Sequence, residues 1–552
     1  MSQLQPNIES VVPWWKGAVL YHIYPRSFQD TNNDGIGDLQ GITQRLEYLR
    51  DLGIDGIWIS PIFKSPMKDF GYDVSDHKDV DPIFGTIKDF DALIEKAHGF
   101  GIRVLIDKVL SHTSDEHPWF AESRKNRTNP KADWYVWADP KSDGTPPNNW
   151  LSIFGGSAWE WEPRRGQYYL HNFLSSQPDL NFHNADMLDE LLGAMEFWLQ
   201  RGVDGFRLDT INFLVHDQKL RDNPARALDE HLDVGVFANN PYAYQYHVYD
   251  KSRPENIAVL NRIRALMDRY PGSITVGEIG DDDSVSRACE YVQGQDRLHI
   301  AYTFNLLHDK FGADFIRTTV EELESQIKEG WPCWSFGNHD TPRALTRLAP
   351  HLKEGSPEQD QFAKLLMAIL FSLRGTVIVY QGEELGLPEA NVPFEKFQDP
   401  YGITFYPEYK GRDGCRTPIP WNQNQSNSGF SKEGSPWLPI TQEHTRRAVD
   451  TQEDDSISVL GTYQRFLKWR KNHPALQHGD ITLIDAPKDI LAFVRGCEEE
   501  KMLIVFNTSE KDASFSLSNF PTMTPLEGTG FNTEIVDGYV KLPPFGAFFA
   551  KL

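Results

Sequence analysis

Short apolar runs alternate with longer stretches of helical periodicity along most of the chain. Runs of strand length fall at residues 18–24, 55–60, 103–109, 205–209, 274–279, 300–305 (the weakest), 332–336 and 377–380. Stretches with apolar positions every three or four residues fall between and after them, at 41–52, 87–100, 187–201, 256–270, 316–329, 359–373 and 459–471. Period two marks strands and period 3.6 marks helices, so the alternation predicts parallel strands joined by helical crossovers. Eight strands, each followed by a helix or a long excursion and wound in the right-handed sense of βαβ crossovers, predict an α/β fold closed into a (β/α)8 barrel.

The alternation breaks twice. Residues 112–181 are rich in Pro, Asn, Trp and Gly, with only short apolar pieces. That is too long for a plain loop and reads as an inserted domain after the third strand. From about residue 474 the pattern becomes short strands with turns between them, at 481–484, 490–495, 502–506, 515–517 and 539–542, which predicts an antiparallel β domain. The expected boundaries are 1–111 and 182–473 for the two parts of the barrel, 112–181 for the insertion and 474–552 for the C-terminal domain.

Candidate chemistry sits at the ends of the predicted strands. The run at 202–210 places Arg207 and Asp209 on one side of a strand, because side chains alternate. An arginine beside an aspartate keeps that carboxylate ionised, as a nucleophile requires. A structural ion pair closing a strand explains the same two residues. The barrel adds a shared location: Asp107, Asp209, Glu278 and Asp340 fall at or just beyond the C-terminal ends of four different strands, the catalytic face of this fold. Carboxylates converging in one cleft push their pKa values apart. Glycoside cleavage uses one ionised and one protonated carboxylate, and a further ionised group steadies the positive transition state. His112 and His339, each near an aspartate at the same rim, are placed to hydrogen-bond sugar hydroxyls.

A second feature is the loop at residues 30–38. Asp30, Asn32, Asp34 and Asp38 offer side-chain oxygens and Ile36 a backbone carbonyl, with Gly35 at the sixth position, the pattern of a calcium loop. It is not an EF-hand, because its twelfth position is Gly41 and a strand precedes it. A structural Ca²⁺ or Mg²⁺ is expected there, the alternative being an Asp/Asn/Gly turn without metal. No organic cofactor is expected.

Composition narrows the partners. The chain has 552 residues and a net charge of -24, which argues against nucleic acid or an anionic membrane and suits a neutral substrate. Its 15 Trp, 20 Tyr and 33 Phe can supply flat faces for sugars, although most must fill the core. Cys289, Cys333, Cys415 and Cys497 are far apart with no CxxC pair, so their spacing suggests neither a disulfide framework nor a zinc site. Residues 1–12 are polar and lack the apolar centre of a secretory signal, and no run of about 18 apolar residues exists to span a membrane. A reducing cytoplasm is expected, with the sequons at Asn126, Asn424 and Asn507 as chance matches, and a monomer or homodimer.

Taken together, residues 107–112, Gly205–Asp209, Glu278 and residues 338–340 resemble the four signature regions of the α-amylase superfamily (glycoside hydrolase family 13) of retaining glycosidases. Residues 177–181, Gln-Pro-Asp-Leu-Asn, resemble the further signature of its oligo-1,6-glucosidase and α-glucosidase branch. The resemblance covers the chain from about Val12 to Leu552. It implies a barrel domain A, an inserted domain B and a C-terminal β domain C. It implies that Asp209 is the nucleophile, Glu278 the general acid/base and Asp340 the transition-state stabiliser. Asp69, Tyr72, His112, Arg207 and His339 match residues that hold the first glucose, with Tyr72 stacking on its face. Arg412 resembles an arginine that pairs with Asp69 or with sugar hydroxyls. The 30–38 loop resembles the family's calcium or magnesium loop.

Two departures refine the expectation. Ser111 stands where many relatives carry an Asn; in true α-amylases that Asn helps bind a calcium near domain B, so the departure argues against this second site. Thr210 resembles maltase-type enzymes, whereas valine marks many relatives that cleave α-1,6 links, so α-1,4 links in short substrates are expected. Phe154 and Phe173 read equally as aglycone contacts and as core packing. The expected activity is an exo-acting α-glucosidase that releases terminal glucose from maltose-sized substrates with retention, with transglucosylation on the side. Oligo-1,6-glucosidase, sucrose isomerase and glucosyltransferase are the alternatives within the same chemistry. A catalytically dead partner subunit, like the heavy chains of amino-acid transporters, is disfavoured because the three carboxylates are present and no anchor is seen.

Overall fold

The computed structural model describes residues 12–227, 230, 236 and 239–552. The polar segment at 1–11 lies outside the described residues. Eight strands close into a barrel: β1 (Val19–Ile23), β2 (Gly56–Ile59), β3 (Arg103–Val109), β4 (Gly205–Asp209), β5 (Ile274–Ile279), β6 (Ile300–Thr303), β7 (Pro332–Trp334) and β8 (Thr376–Tyr380). Each pairs in parallel with its sequence neighbours, and β1 pairs with β8 to close the ring. Every strand-length apolar run outside the C-terminal region lands on one barrel strand, the weak run at 300–305 included.

The runs are continuously apolar because both faces of each strand are covered. Inward residues, among them Leu20, Trp58, Leu105, Ile274, Val276, Tyr302 and Ile378, fill the barrel interior. Outward residues such as Tyr21, Ile57, Ile106, Phe206 and Val379 pack against the surrounding helices in the largest core cluster. Helix Leu39–Leu52 shows how local signals fix an element's ends. Asp38 caps it by accepting the Gly41 N–H at 2.7 Å, and Gly53 stops it with φ at +95°.

Between β3 and β4 the chain forms a small antiparallel sheet of Trp137–Ala138, Gln167–Leu170 and Trp159–Glu162, with the middle segment central. Its core includes Val136, Trp150, Trp159 and Leu170. Bridge His112↔Asp179 ties this excursion to the top of β3, and Tyr135↔Leu180 closes it on itself. After helix Pro474–His478 the chain builds a five-stranded antiparallel sheet and a three-stranded one. Residues of both sheets, including Ala492, Val505, Phe515 and Val540, share one core. The other face of the larger sheet packs on the barrel helices through Leu491, Phe493, Ile504, Phe506 and Phe549. The buried Arg495 reaches back to the carbonyls of Ser372 and Leu373.

Several strands escape the sequence pattern. Hairpin Phe63–Lys64/Asp76–Val80, and strands Thr524–Pro525 and Glu534–Val536, are too short or too polar to alternate visibly. Ala547–Lys551 is apolar but contiguous with a proline-rich turn. Among the described residues no helix is long and apolar enough to cross a membrane, and all four cysteines are free.

Candidate active site

An open cavity lies at the C-terminal ends of the barrel strands. Asp209, Glu278 and Asp340 all line it, together with Asp69, Tyr72, His112, Phe173 and Arg412. The strands put them there. Asp209 is the last residue of β4, Glu278 the penultimate residue of β5, and Asp340 lies in the loop after β7.

Arg207 organises the floor from within β4. Its Nη1 donates to Asp209 Oδ1 at 2.7 Å and to both Asp107 oxygens at 3.0 Å, and its Nη2 lies 2.5 Å from Glu278 Oε2. The guanidinium is fully buried and lies over the Trp58 ring at 4.8 Å. One cation thus faces three carboxylates. Burial pushes all three above the ordinary carboxylate range, Arg207 pulls them down, and their neighbours' charges push them up again; Glu278 ends at about 7. Asp209 and Glu278 are thus both raised toward neutral pH, where a carboxyl can hold a proton and give it up.

Thr210 links the two. Its N–H donates to Glu278 Oε2 and its hydroxyl to Asp209 Oδ2, each at 3.2 Å, and Ser111 Oγ lies 3.4 Å from that hydroxyl. It holds φ at +38°, a left-handed conformation that a β-branched residue adopts only when its surroundings impose it. Tyr302, from β6, completes the knot. It accepts from Arg207 Nη2 at 3.0 Å and donates to Glu278 Oε1 at 2.9 Å.

Asp340 has different company. Its Oδ1 accepts from Arg412 Nη1 at 3.1 Å and Arg416 Nη2 at 2.8 Å. Burial works against its ionisation, but Arg412, Arg416 and Arg207 together hold its pKa below the usual value. Arg412 also donates to Asp69 at 2.9 Å and to Asp399 at 2.7 Å. The expected pairing of Arg412 with Asp69 is present, and it extends to two further carboxylates. Asp69 additionally accepts from Gln177 at 3.0 Å.

Of the remaining candidates Tyr72, His112 and Phe173 line the cavity, whereas His339, like Arg207, is fully buried behind its lining. Tyr72 is buried, its ring stacked on His339 (centroids 5.2 Å apart, 6° between planes) and its hydroxyl donating to Asp107 at 3.0 Å. His339 has no aligned hydrogen bond on either ring nitrogen, although Nε2 lies 3.2 Å from Asp340 Oδ2. His112 is already engaged, Nδ1 with Ser111 Oγ at 2.9 Å and Nε2 with the Tyr72 carbonyl at 3.1 Å. Burial pushes the pKa of His112 down to about 4 and that of His339 well below its ordinary value, so both stay neutral. Phe173 lines the cavity and also packs on His112 and Phe154, so wall and packing are one role. Sequence reasoning missed Tyr302, Asp399 and Arg416 as site residues. The dipeptide at 415–416 carries no motif, and Tyr302 sits on the weakest apolar run.

The 30–38 loop lies apart from the cavity. Its donor set is all oxygen, which suits a hard divalent cation. In this arrangement those oxygens point to backbone donors: Asp30 accepts from the N–H groups of Asn33 and Gly35, Asp34 from Ile36, and Asp38 from Thr31 and Gly41. Asp30, Asp34 and Asp38 do not bring one oxygen each within 4.8 Å of one another.

A barrel mouth with two carboxylates raised toward neutral pH, a third kept ionised by arginines, and aromatic walls defines a glycoside-cleaving enzyme. The comparisons agree. Residues 22–479 match the α-amylase catalytic domain model, and residues 481–549 match the maltogenic amylase C-terminal domain model. A probable α-glucosidase of Rhizobium meliloti (strain 1021) is 56% identical over 553 residues, covering 100% of this chain and 98% of its own. An oligo-1,6-glucosidase of Heyndrickxia coagulans is 37% identical over 540 residues, covering 91% and 93%. The crystal structure of an α-glucosyl transfer enzyme superposes with a TM-score of 0.94 at 53% identity, covering 98% and 99%. A trehalulose synthase superposes at 0.88 and 32% identity, covering 98% and 100%. The chain belongs to the α-amylase family of glycoside hydrolases and resembles its α-glucosidases and oligo-1,6-glucosidases.

Proposed function

We propose that this enzyme is an exo-acting α-glucosidase that removes a terminal, non-reducing, α-1,4-linked glucose from short oligosaccharides with retention. The observation that carries the reading is the convergence of Asp209, Glu278 and Asp340 in one cavity, with Arg412 tying Asp69, Asp340 and Asp399 together across one side of it. That crossing narrows one side of the cavity, which favours a chain end over a long chain.

Asp209 attacks the anomeric carbon while Glu278 gives its proton to the departing glycosidic oxygen. The bond to that oxygen breaks, a glucosyl ester on Asp209 forms, and the aglycone leaves with the proton. Glu278, now ionised, takes a proton from water, the hydroxide displaces Asp209, and α-glucose departs. Asp340, ionised between two arginines, faces the positive charge that develops on the sugar. Asp69, Tyr72, His112, Arg207, His339 and Arg412 surround the first glucose. Thr210, between nucleophile and acid, supports the α-1,4 preference. Asp209→Asn is expected to lower maltose turnover on the order of 10⁴-fold or more, and full activity in that variant would remove Asp209 from its role.

A second reading is glucosyl transfer, favoured by the likeness to the α-glucosyl transfer enzyme and by the aromatic walls Phe154, Phe173, Phe213 and Phe304, which suit an acceptor other than water. The 30–38 loop is the seat of a structural calcium or magnesium ion in this proposal, on the chemistry of its donors. Four free cysteines fit a reducing compartment.

The test is product analysis after separate incubation with maltose, isomaltose and sucrose, recording the anomer first released. Fast α-glucose from maltose with little from isomaltose supports the proposal. Preference for isomaltose overturns the linkage, β-glucose as first product overturns retention, and longer or isomerised sugars as main products put transfer first.

A further inference from the structure

Three donor side chains of different chemistry meet far from the cavity. His478 ends helix Pro474–His478, and Cys497 and Glu499 lie on the turn between strands Ile490–Gly496 and Lys501–Asn507. An imidazole nitrogen, the thiol sulfur and a carboxylate oxygen all lie within 4.8 Å of one another. Among the described residues, no other group of three or more His, Cys, Asp or Glu does so. Ligands of a tetrahedral zinc ion with bonds of about 2.0–2.3 Å stand ~3.3–3.8 Å apart, so small side-chain adjustments complete the triangle. Cysteine spacing along the chain gives no hint of it, because the donors come from two segments.

The backbone holds these segments together independently of any ion. The turn closes with the Cys497 N–H donating to the Glu500 carbonyl at 2.8 Å. Glu500 is anchored to the helix by His473 Nδ1 at 2.7 Å and by the Ala475 N–H at 3.3 Å. On the other side, Asp480 pairs with Gly496 in the antiparallel sheet, and Gly479 packs so closely on the Gly496 carbonyl that a Cβ would collide. His478 and the turn are thus fixed on both flanks. His478, Cys497 and neighbours Asp480, Thr482 and Lys501 line a shallow depression open to solvent, and Glu499 is itself exposed, so a hydrated ion has access to all three. Cys497 is also the one cysteine that is not buried.

We propose that His478, Cys497 and Glu499 bind one zinc ion. A mixed nitrogen, sulfur and oxygen set selects zinc over calcium or magnesium, which take oxygen alone. Binding releases the thiol proton to solvent. The site lies toward the N-terminal ends of the barrel strands, since Gly17, just before β1, packs on the Gln477 carbonyl. The ion fastens the start of the C-terminal sheet to the helix before it and takes no part in the cavity's chemistry.

Cobalt(II) titration of the full-length, metal-stripped protein tests this without using any sugar, so it stands or falls apart from the proposed activity. One equivalent is expected to give a thiolate-to-cobalt band in the near ultraviolet and the visible bands of tetrahedral coordination, both abolished by zinc. Cys497→Ser loses the near-ultraviolet band, His478→Ala loses tight binding, and zinc raises the melting temperature of the parent but of neither variant. Matching melting temperatures of all three proteins without metal establish that the variants fold. Absence of the thiolate band, or zinc affinity unchanged in both variants, overturns the proposal.

Discussion

Arg207 decides more about the cavity's charge than any carboxylate around it. Three buried carboxylates contact one guanidinium, so the number of protons they hold depends on how that guanidinium is shared. Tyr302 controls part of the sharing, accepting from Arg207 and donating to Glu278. A donor to a carboxylate favours its ionised form. Tyr302→Phe removes that donor while keeping the ring, so Glu278, already at about 7, titrates higher. The alkaline limb of kcat/KM is expected to move up by about one unit while kcat falls about tenfold, the size of one charge-assisted hydrogen bond. A pH profile for both proteins checks this, and an unmoved alkaline limb would dismiss the link. The Arg207–Asp209 pair is legible in the sequence because its members are two residues apart on a strand. Tyr302 is not, because it reaches Arg207 across 95 positions and carries no motif of its own.

The elements behave as the residues do. All eight barrel strands are legible because strands covered on both faces are continuously apolar, and the helices between them show the 3.6 period. The segment at residues 399–416, with a short helix at Pro400–Phe405 that Asp399 caps, has neither signal, yet it supplies Asp399, Arg412 and Arg416. Asp399 is fully buried and accepts the backbone N–H, Nε and Nη2 of Arg412, and the guanidinium groups hold its pKa low against its burial. Asp399→Asn leaves Arg412 buried without its main counter-charge, a loss of about 3–5 kcal/mol when a buried pair is broken. Both a lowered melting temperature and a fall in kcat/KM of about 10²-fold are expected, because Arg412 also positions Asp69 and Asp340. Kinetics within threefold of the parent would show that the loop needs no such anchor. The 30–38 loop makes the opposite case, a motif plain in sequence whose ion is a proposal. Asp34 is exposed and serves only turn hydrogen bonds, so Asp34→Ala spares the Asp38 cap on helix Leu39–Leu52. Calcium is expected to raise the melting temperature of the chelator-treated parent by a few degrees and that of Asp34→Ala by less than half as much. An equal response in both would place the ion elsewhere.

Over the whole molecule, acidic groups set how stability follows pH, and the interior ones matter more than the net charge of -24. Glu383 is the clearest case, because it lies outside the catalytic cavity. It borders a separate small cavity of about 30 Å³ lined by Leu345, Leu366, Leu370 and Tyr463, next to Gly337 in the loop that leads to Asp340. Its Oε2 accepts the Tyr380 N–H at 3.2 Å, but Oε1 has no hydrogen-bond partner. Burial raises its pKa from 4.5 to about 7. A carboxyl raised in the folded state contributes its full stability below the unfolded pKa and loses it as pH rises through the folded one. The window therefore runs from about 4.5 to about 7, and a shift of about 2.5 units at 1.36 kcal/mol each limits the loss at pH 8 to about 3 kcal/mol. Glu383→Gln keeps the shape and the acceptor for Tyr380 but cannot ionise. Against the parent it is expected to melt a few degrees higher at pH 8 and at nearly the same temperature at pH 5, by calorimetry at fixed ionic strength. A variant that differs from the parent equally at both pH values would show that Glu383 acts through packing, and the pH dependence would then belong to the carboxylates around Arg207.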